Sequence, residues 1–530
     1  MKALPVYSSP HLSLWQSTAA EATSKSSGIP GQKSTHDHPI IKGANLYAEA
    51  VSANQIPEEP GGGDMGYSSD DPAVMAYMSF LNHQAIHAKI NGDHDLQAQI
   101  NKQRSRFKYG NPLWEQQWIQ YFWYYWDYPF HKGQSPLYRS WQDQRYGHGN
   151  PDYGLIKWKI PEDATIALIG DIGTGTDIAA AVLYACMKFS PDVILHVGDI
   201  YYSGTHFEFE HRFLSMYEEV MKQFNQSAPL FTIPGNHEYF TGAHGFYNCL
   251  DSMRLIHGSD QKQEASYFSL CTTGDTWQFL AMDTGYYGHF MDVPTHVQQV
   301  ALDLLHHGKV EVPADPTNPH WPDSFNPHFL DCAIPNEPLH DPTSRPAMIT
   351  IRKDELAWHK QRLESFPGLT ILLSHHQLYS ATQHVGGKKL QPGRGIWPWV
   401  NTSLWKQFNP FLSDKVAAWF WGHEHNLDIF QDNYTPEDAS HTSNKLQTLN
   451  KGRCVGHAAL PVMEKEDPYA HTFPVPLVDG QPRLSLTGRW YNRGFQILQL
   501  QGKGQPIRAN YYELKEADPT PIKLYEENIE

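Results

Sequence analysis

Short apolar segments alternate with amphipathic ones from about residue 161 onward. The apolar segments have four to six residues, and each predicts a buried β-strand; they span residues 165–169, 193–197, 230–233, 276–281, 369–373 and 416–421. Amphipathic segments between them predict helices over residues 177–189, 208–224 and 353–366. This alternation is typical of β-α-β units and predicts an α/β fold with a largely parallel central sheet.

The residues before this alternation have a different pattern. Residues 1–35 are rich in Ser, Thr, Gly and Gln, which predicts a disordered lead-in. Apolar residues at near-helical spacing over 71–107 predict one or two helices, and residues 114–128 are dense in aromatic side chains. Such aromatics are more typical of core or domain-interface packing than of a ligand groove. We therefore expect a helical, aromatic-rich N-terminal region over residues 36–155.

The alternating region predicts one domain over residues 160–514. It is interrupted at about 309–346 by a Pro-, Asp- and His-rich insertion, which is too long for an ordinary connection and is either a lid, an oligomer contact or a loose segment. Apolar alternation over 494–500 and 506–514 predicts late strands that close a second sheet. Residues 515–530 are expected to be a C-terminal tail.

Composition and charge exclude some classes of function for this protein. Of the 530 residues, 40% are hydrophobic and 13% aromatic, which predicts a well-packed globular protein. The net charge of −16 disfavours non-specific binding to nucleic acid or to an anionic membrane, because both need a basic surface. A small anionic substrate would have to be attracted locally, and bound metal ions provide that attraction.

Cysteines and hydropathy indicate the compartment. The five cysteines are odd in number and lack CxxC spacing, so they predict buried free thiols and neither a zinc site nor a disulfide framework. The start of the chain lacks a secretory apolar segment, and no apolar run approaches the length of a membrane span. These patterns predict a soluble, cytoplasmic protein.

Five of the predicted strands end in residue types that bind metals. The motifs are Gly170-Asp171-Ile172-Gly173, Gly198-Asp199-Ile200-Tyr201-Tyr202, Gly235-Asn236-His237-Glu238, Leu372-Leu373-Ser374-His375 and Gly422-His423-Glu424-His425. Any one of them is weak evidence, because single histidines are more often structural and Gly-Asp pairs are common in turns. In open α/β sheets, however, ligands bind at the carboxyl ends of strands. We therefore expect the five motifs to converge on one edge and bind two metal ions.

The residue types indicate which metals suit the site. Carboxylates combined with imidazoles favour borderline divalent metals and iron, whereas a site built only from oxygens would favour magnesium or calcium. Asp199 is the candidate for a bridging ligand, because a carboxylate has two oxygens and Tyr202 follows three residues later. His423 and His425 fall on the same side of an extended segment, which places one imidazole on each ion.

The five ordered motifs resemble those of the calcineurin-like metallophosphoesterase superfamily. Within it they are similar to the purple acid phosphatase pattern GDxG, GDxxY, GNH(E/D), VxxH and GHxH, with Leu372 in the position of Val. The resemblance covers about residues 162–435 and continues through the strands to about 514. It implies a four-layer αββα sandwich and the hydrolysis of phosphoric esters.

The resemblance also implies a ligand set for each of two ions. Other metallophosphoesterases usually carry Asp-x-His in the first motif, so Gly173 removes a ligand, and Tyr202 is similar to its replacement. A phenol with a pKa near 10 binds well only to a strongly polarising ion such as Fe(III). The implied ligands of Fe(III) are Asp171, Tyr202, His425 and Asp199. The implied ligands of the divalent ion, which is Zn, Mn or Fe, are Asn236, His375, His423 and Asp199.

The implied reaction is phosphomonoester hydrolysis by a metal-activated hydroxide, without a covalent enzyme intermediate. His237 is similar to a substrate-contacting histidine of the family. His384 lies nine residues after His375, a spacing that resembles a second such histidine in the small mammalian-type enzymes, and it is the candidate general acid. For His376, packing behind a ligand is favoured over catalysis. Glu238 and Glu424 either orient ligands or are solvated.

Three alternatives remain open at this level. The same ligands suit a phosphodiesterase or nucleotidase, because they do not distinguish monoesters from diesters. A non-catalytic binding protein could retain the fold, although the complete ligand set argues against it. An ordinary metallophosphoesterase with two divalent ions would leave Tyr202 as a packing residue.

Overall fold

The computed structural model describes parts of the chain between residue 136 and the C-terminus. The described residues are 136–530 without 174–176, 201–203, 205–208, 225–227, 240–241, 258–259, 289–348, 384, 386–398, 437–445, 461, 463, 465–466, 471–472, 489 and 516–517. The expected lead-in, most of the expected helical region and the expected insertion lie outside these residues. Residues 136–155, which belong to the region expected to be helical, form turns, bends and irregular segments.

The described residues form strands and helices in alternation over much of the chain. The strands are β1 (Thr165–Ile169), β2 (Val193–His196), β3 (Leu230–Thr232), β4 (Phe268–Cys271), β5 (Trp277–Ala281), β6 (Leu369–Ser374), β7 (Val416–Trp421), β8 (Leu427–Ile429), β9 (Gly452–Val455), β10 (Leu486–Thr487), β11 (Trp490–Tyr491), β12 (Arg493–Gln499), β13 (Ile507–Leu514) and β14 (Ile522–Ile529). The helices are α1 (Asp177–Met187), α2 (Ser215–Phe224), α3 (Asn236–Tyr239), α4 (His244–His257), α5 (Gly285–Gly288), α6 (Lys353–Ser365) and α7 (Thr402–Phe408). A π-helix, Phe209–Leu214, precedes α2, and a 3₁₀ turn, Asn409–Phe411, follows α7.

The larger strands form two mixed sheets of six strands each. The first sheet has the order β14-β13-β12-β1-β2-β3, and the second has the order β4-β5-β6-β7-β9-β8. Strands β1, β2 and β3 are parallel, whereas β12, β13 and β14 add to them in antiparallel fashion. In the second sheet β5, β6, β7 and β9 are parallel. Each sheet therefore has a parallel part whose strands end at a common edge.

The hydrophobic core has one layer between the sheets and further layers under the helices. Along β1, Ile166 and Leu168 belong to a cluster built from strands of both sheets, while Ala167 and Ile169 belong to the cluster that contains the helices. This alternation follows from the two-residue period of a strand with both faces covered. Helix α6 buries residues three and four positions apart, as one packed helix face requires. The fold is the expected four-layer αββα sandwich.

The structure confirms the predicted strands and changes their arrangement. All six predicted strands are present, with bounds within one residue of those expected. They do not form one central sheet, because β1, β2 and β3 lie in the first sheet and β5, β6 and β7 in the second. Strands β12 and β13 extend the first sheet, and β14 lies where a tail was expected. An apolar run shows that a strand is buried but does not show which sheet it joins.

A buried ion pair joins the two sheets near the C-terminus. Arg453 in β9 has no exposed surface and donates through Nε and Nη2 to the Glu527 carboxylate in β14, at 2.7 and 2.5 Å. Nη2 also donates to Asp432 at 2.8 Å. Burial acts to raise the pKa of Glu527, but Arg453 outweighs it and holds the pKa below its usual value. The last strand of one sheet is thus attached to the other sheet by charge.

We expect the Glu527→Ala substitution to destabilise the fold by about 3 kcal/mol, because it leaves a buried guanidinium without its main partner. Urea denaturation at neutral pH measures the change. Because the pKa of Glu527 is depressed in the folded state, its stabilisation is present above the usual carboxyl pKa and is lost as the pH falls through the folded pKa.

The control is Glu526→Ala in the adjacent position. The Glu526 side chain is 44% exposed and pairs with Lys523 in solvent. Exposed pairs of this kind contribute less than about 1 kcal/mol. Equal losses of stability in the two variants would show that the inter-sheet ion pair has no special role.

Candidate metal centre

Three candidate ligands lie in turns with unusual backbone geometry. Asp171, Asp199 and His423 have φ angles of 60°, 61° and 67°, in the left-handed region that residues other than glycine rarely adopt. Each follows the end of a strand, at β1, β2 and β7 respectively. Such a conformation costs of order 1 kcal/mol or more and persists only where the surroundings impose it. The turns direct three chemically active side chains from two sheets toward one region.

Four candidate ligands meet around the ring of His375. Its Nε2 atom lies 3.2 Å from Asn236 Oδ1, 3.2 Å from His423 Nδ1 and 3.3 Å from Asp199 Oδ2. The other ring nitrogen, Nδ1, lies 2.9 Å from the carbonyl oxygen of Val197. Because a carbonyl only accepts, Nδ1 carries a hydrogen, and Nε2 is the ring nitrogen that a metal ion would bind. These four residues are the ones expected around the divalent ion.

The second group of ligand atoms belongs to Asp171, Asp199 and His425. One ligand atom from each lies within 4.8 Å of the others, and His425 Nε2 is 3.5 Å from Asp171 Oδ1. Asp171 is fully buried, and its Oδ1 has no hydrogen-bond partner among the described residues. A buried carboxylate oxygen without a partner is costly, and a bound cation would satisfy it. The donor set therefore fits a metal ion, with Asp199 common to both groups.

The charges of the site also suit cations. Burial acts to raise the pKa of Asp199, but the neighbouring histidines outweigh it and hold the pKa below its ordinary value. Burial acts to lower the pKa of His375, but Asp199 chiefly opposes it and raises the pKa to about 10. A proton on His375 thus supplies positive charge that a metal ion would otherwise provide. Metal binding at this histidine would release that proton.

From the sequence we expect Gly173 to remove a ligand that Tyr202 replaces. In the structure Gly173 has a steric role as well. A Cβ atom at this position would overlap with the carbonyl group of Ile200. The Gly173 amide donates to the carbonyl of Asp199 at 3.4 Å, so the first and second motifs are in backbone contact here. A histidine in this position would require the second motif to move away. Glycine therefore permits the close approach of Asp199 to the first motif.

Of the two histidines expected to contact the substrate, only His237 is among the described residues. The side chain of His237 is 20% exposed, and its Nε2 lies 3.8 Å from Asp199 Oδ2. It therefore stands beside the candidate ligands and is open to solvent. His384 and the expected ligand Tyr202 lie outside the described residues, so their roles stay predictions.

His376 is buried beside the ligands. Its ring lies 4.6 Å from that of His423 between centroids, and its Nδ1 lies 3.0 Å from Thr284 Oγ1. One ring nitrogen of His376 also lies within 4.8 Å of ligand atoms of His375 and His423, so the preference for packing over catalysis stays a prediction. Thr284 follows β5 and belongs to none of the five motifs. Its place near the candidate ligands is therefore known only from its contact with His376.

Both glutamates of the motifs are buried, which excludes the solvated interpretation. Glu424 accepts a hydrogen bond from the Ser380 hydroxyl, and burial followed by Asp428 raises its pKa to about 8. Glu238 accepts hydrogen bonds from backbone N–H groups of the second and third motifs. The sequence contained both residues within motifs, but burial is a tertiary property that the motifs do not show.

We expect the Gly173→Ala substitution to weaken metal binding at least about tenfold, because displacement of a residue that positions ligands has effects of this size. Calorimetric titration of metal-free protein with Mn(II) measures it. Gly488→Ala is the control, since a side chain there meets nothing within 4 Å although φ is +60°. Its cost is about 1 kcal/mol of stability without a change in metal affinity. Wild-type affinity in Gly173→Ala would contradict the steric role.

None of the helices in the described residues is long and apolar enough to cross a membrane.

Comparison with solved structures finds remote similarity. A structure of PhoD is 12% identical, with 69% of each chain covered and a TM-score of 0.38. The purple acid phosphatase PPD1 from yellow lupin (Lupinus luteus) seeds is 13% identical, with 69% of this chain and 54% of that chain covered and a TM-score of 0.34. At these TM-scores neither structure adds to the assignment. No curated protein sequence has significant similarity to the chain.

Comparison with protein families gives a direct match. The model of the family described as calcineurin-like phosphoesterase matches residues 164–427. The matched segment begins just before β1 and ends at the first residue of β8, so it contains all five motifs. Through this domain the chain belongs to the calcineurin-like phosphoesterase family.

Proposed function

We propose that the protein hydrolyses phosphomonoesters at a binuclear metal centre, in the manner of a purple acid phosphatase. The observation that supports this most is that six candidate ligands from two different sheets meet in two groups that share Asp199. The described members are Asp171, Asp199, Asn236, His375, His423 and His425. A phosphoesterase family domain with this donor set has the parts that two-metal ester hydrolysis requires.

The proposed ligand sets combine these two groups with Tyr202, the ligand that the family resemblance implies. Asp171, His425 and Asp199 would hold one ion together with Tyr202, and Asn236, His375 and His423 would hold the other together with Asp199. When bound, the two ions supply Lewis-acid chemistry that neutralises phosphate charge and makes water a better nucleophile. We propose Fe(III) for the first position, because a phenolate ligand favours a trivalent ion, and Zn, Mn or Fe for the second.

The chain's own residues supply orientation and proton transfer. The Asp199 carboxylate is ionised and buried, and it accepts the backbone N–H of His237 at 3.3 Å. This bond fixes the main chain of His237 beside the ligands, while its partly exposed ring can reach a phosphate ester. Nε2–H of that ring is suited to bind a phosphate oxygen and to protonate the leaving alkoxide. His384 stays the second candidate for this role.

The substrate class is tested by comparing p-nitrophenyl phosphate with its bis ester. We expect the monoester to be the better substrate in kcat/KM, and loss of hydrolysis after chelation. Asp199→Asn should lower kcat/KM by at least about 100-fold, because it removes charge from both ion sites.

Asp275→Asn is the matched control for this assay. Asp275 pairs with Lys159 on the surface at 2.6 Å, and it precedes β5, whose opposite end faces the site. Its activity should equal that of the wild type. A strong preference for the diester would establish a phosphodiesterase instead, and turnover unaffected by both chelation and Asp199→Asn would refute the metal mechanism.

The trivalent ion is tested by colour and iron content. Fe(III) phenolate complexes absorb visible light by charge transfer, so the oxidised protein should be coloured and contain iron. Tyr202→Phe should abolish the band, whereas Tyr201→Phe at the adjacent position should leave it unchanged. A colourless, iron-free and fully active wild type would eliminate Fe(III) and favour two divalent ions.

A further inference from the structure

The Glu238 side chain joins two of the metal-binding loops. It is fully buried, and its Oε2 accepts hydrogen bonds from the backbone N–H groups of Asp199 at 3.1 Å and Gly235 at 2.5 Å. Its Oε1 accepts from the backbone N–H of Ile200 at 2.5 Å. One carboxylate therefore binds three N–H groups, two from the second motif and one from the third.

These bonds begin where the sheet ends. Strands β2 and β3 are parallel neighbours, and their pairing extends to His196 opposite Thr232, with a last bond from Ile233 N to His196 O at 3.2 Å. Beyond that point the main chain continues from β2 into the loop that carries Asp199, and from β3 into the loop that carries Asn236. Buried backbone N–H groups need partners, and each one left without a partner costs about 1–3 kcal/mol. Glu238 continues the inter-strand connection into the loops.

A reciprocal bond makes the connection stronger. Asp199 in the second motif accepts the backbone N–H of His237 in the third motif, while Glu238 in the third motif accepts the backbone N–H of Asp199. The two loops thus exchange a carboxylate and an N–H in both directions. This exchange also holds Asp199 in its left-handed conformation, which is unfavourable on its own.

Gly204 also approaches the main chain of Glu238 closely. Gly204, two residues after the second motif, has a φ of +60°, and a Cβ atom there would overlap with Glu238 Cα. The loop is therefore held against Glu238 at its beginning, by the bonds of Asp199 and Ile200, and again at Gly204. Small movements of Glu238 would be transmitted to Asp199.

We propose that Glu238 is a positioning residue that fixes the shared ligand Asp199 relative to the third-motif ligand Asn236, and so fixes the spacing of the two metal ions. Glu238 contacts neither the ions nor the substrate in this role. The inference rests on the proposed binuclear function. The sequence motifs left two roles open for Glu238, which were the orientation of ligands and a solvated position. The proposal assigns it the first role and names the ligand that it positions.

The experiment measures ion spacing rather than hydrolysis. Metal-free full-length protein is titrated with Mn(II), and binding is followed by calorimetry and electron paramagnetic resonance. Two ions that share Asp199 should give a spin-coupled signal in the wild type. In Glu238→Gln, which keeps the side-chain size but replaces an acceptor oxygen with an NH₂ group, the second ion should bind about 10 to 100 times more weakly and the coupled signal should be lost.

Glu355→Gln is the matched control. Glu355 is also fully buried and also accepts a backbone N–H, from Asp283 at 2.8 Å, but it lies in α6 outside the metal-binding loops. It should lose stability and keep the coupled signal with wild-type affinity. Loss of coupling in both variants would indicate general destabilisation and would overturn the positioning role.

Two further variants cover the remaining outcomes. Glu238→Asp keeps the carboxyl group on a shorter side chain and should be intermediate between wild type and Glu238→Gln. If Glu238→Gln does not fold, Gly204→Ala pushes the loop away from Glu238 and should also remove the coupled signal. Wild-type coupling and affinity in Glu238→Gln, or in Gly204→Ala where the first does not fold, would overturn the proposal. A wild type that binds fewer than two Mn(II) ions would instead refute the binuclear function itself.

Discussion

The buried negative charge of Asp199 is the constraint on which the site depends. An ionised carboxylate without access to water is stable only when positive charge and hydrogen-bond donors surround it. The histidines of the second sheet supply charge, since His375 Nε2 lies 3.3 Å from Asp199 Oδ2, and the backbone of His237 supplies a donor. Metal ions would replace the protons that now balance this charge. The geometry that suits cations is therefore already present in the protein chain.

The two sheets contribute different ligand chemistry. Asp171, Asp199 and Asn236 follow strands of the first sheet and offer oxygen atoms, whereas the histidines at 375, 423 and 425 follow strands of the second sheet and offer nitrogen atoms. The mixed oxygen and nitrogen site lies where the parallel edges of both sheets meet. Its precision depends on sheet stacking, which the core between the sheets and the Arg453–Glu527 ion pair maintain.

Contacts between the loops then position the ligands that the two sheets bring together. Gly173 allows the second motif to approach the first, and Glu238 binds the second motif to the third. Neither residue is a ligand, although both stand inside ligand motifs. The left-handed turns at Asp171, Asp199 and His423 show that local backbone preference was overridden at the ligands themselves. Functional geometry was favoured there at a cost in conformational energy.

The sequence alone determined the strand positions and the ligand candidates, because both depend on local patterns: apolar runs of strand length, and metal-binding residue types directly after them. The family resemblance added the pairing of ligands into two groups, and the described residues agree with those groups as far as they extend. Only the tertiary structure decided that the strands divide between two sheets, that β14 joins the first sheet, and that Glu238 and Glu424 are buried. These properties depend on contacts between residues far apart in the chain, and no local pattern of hydrophobic and polar residues records which partners a buried strand or side chain will have.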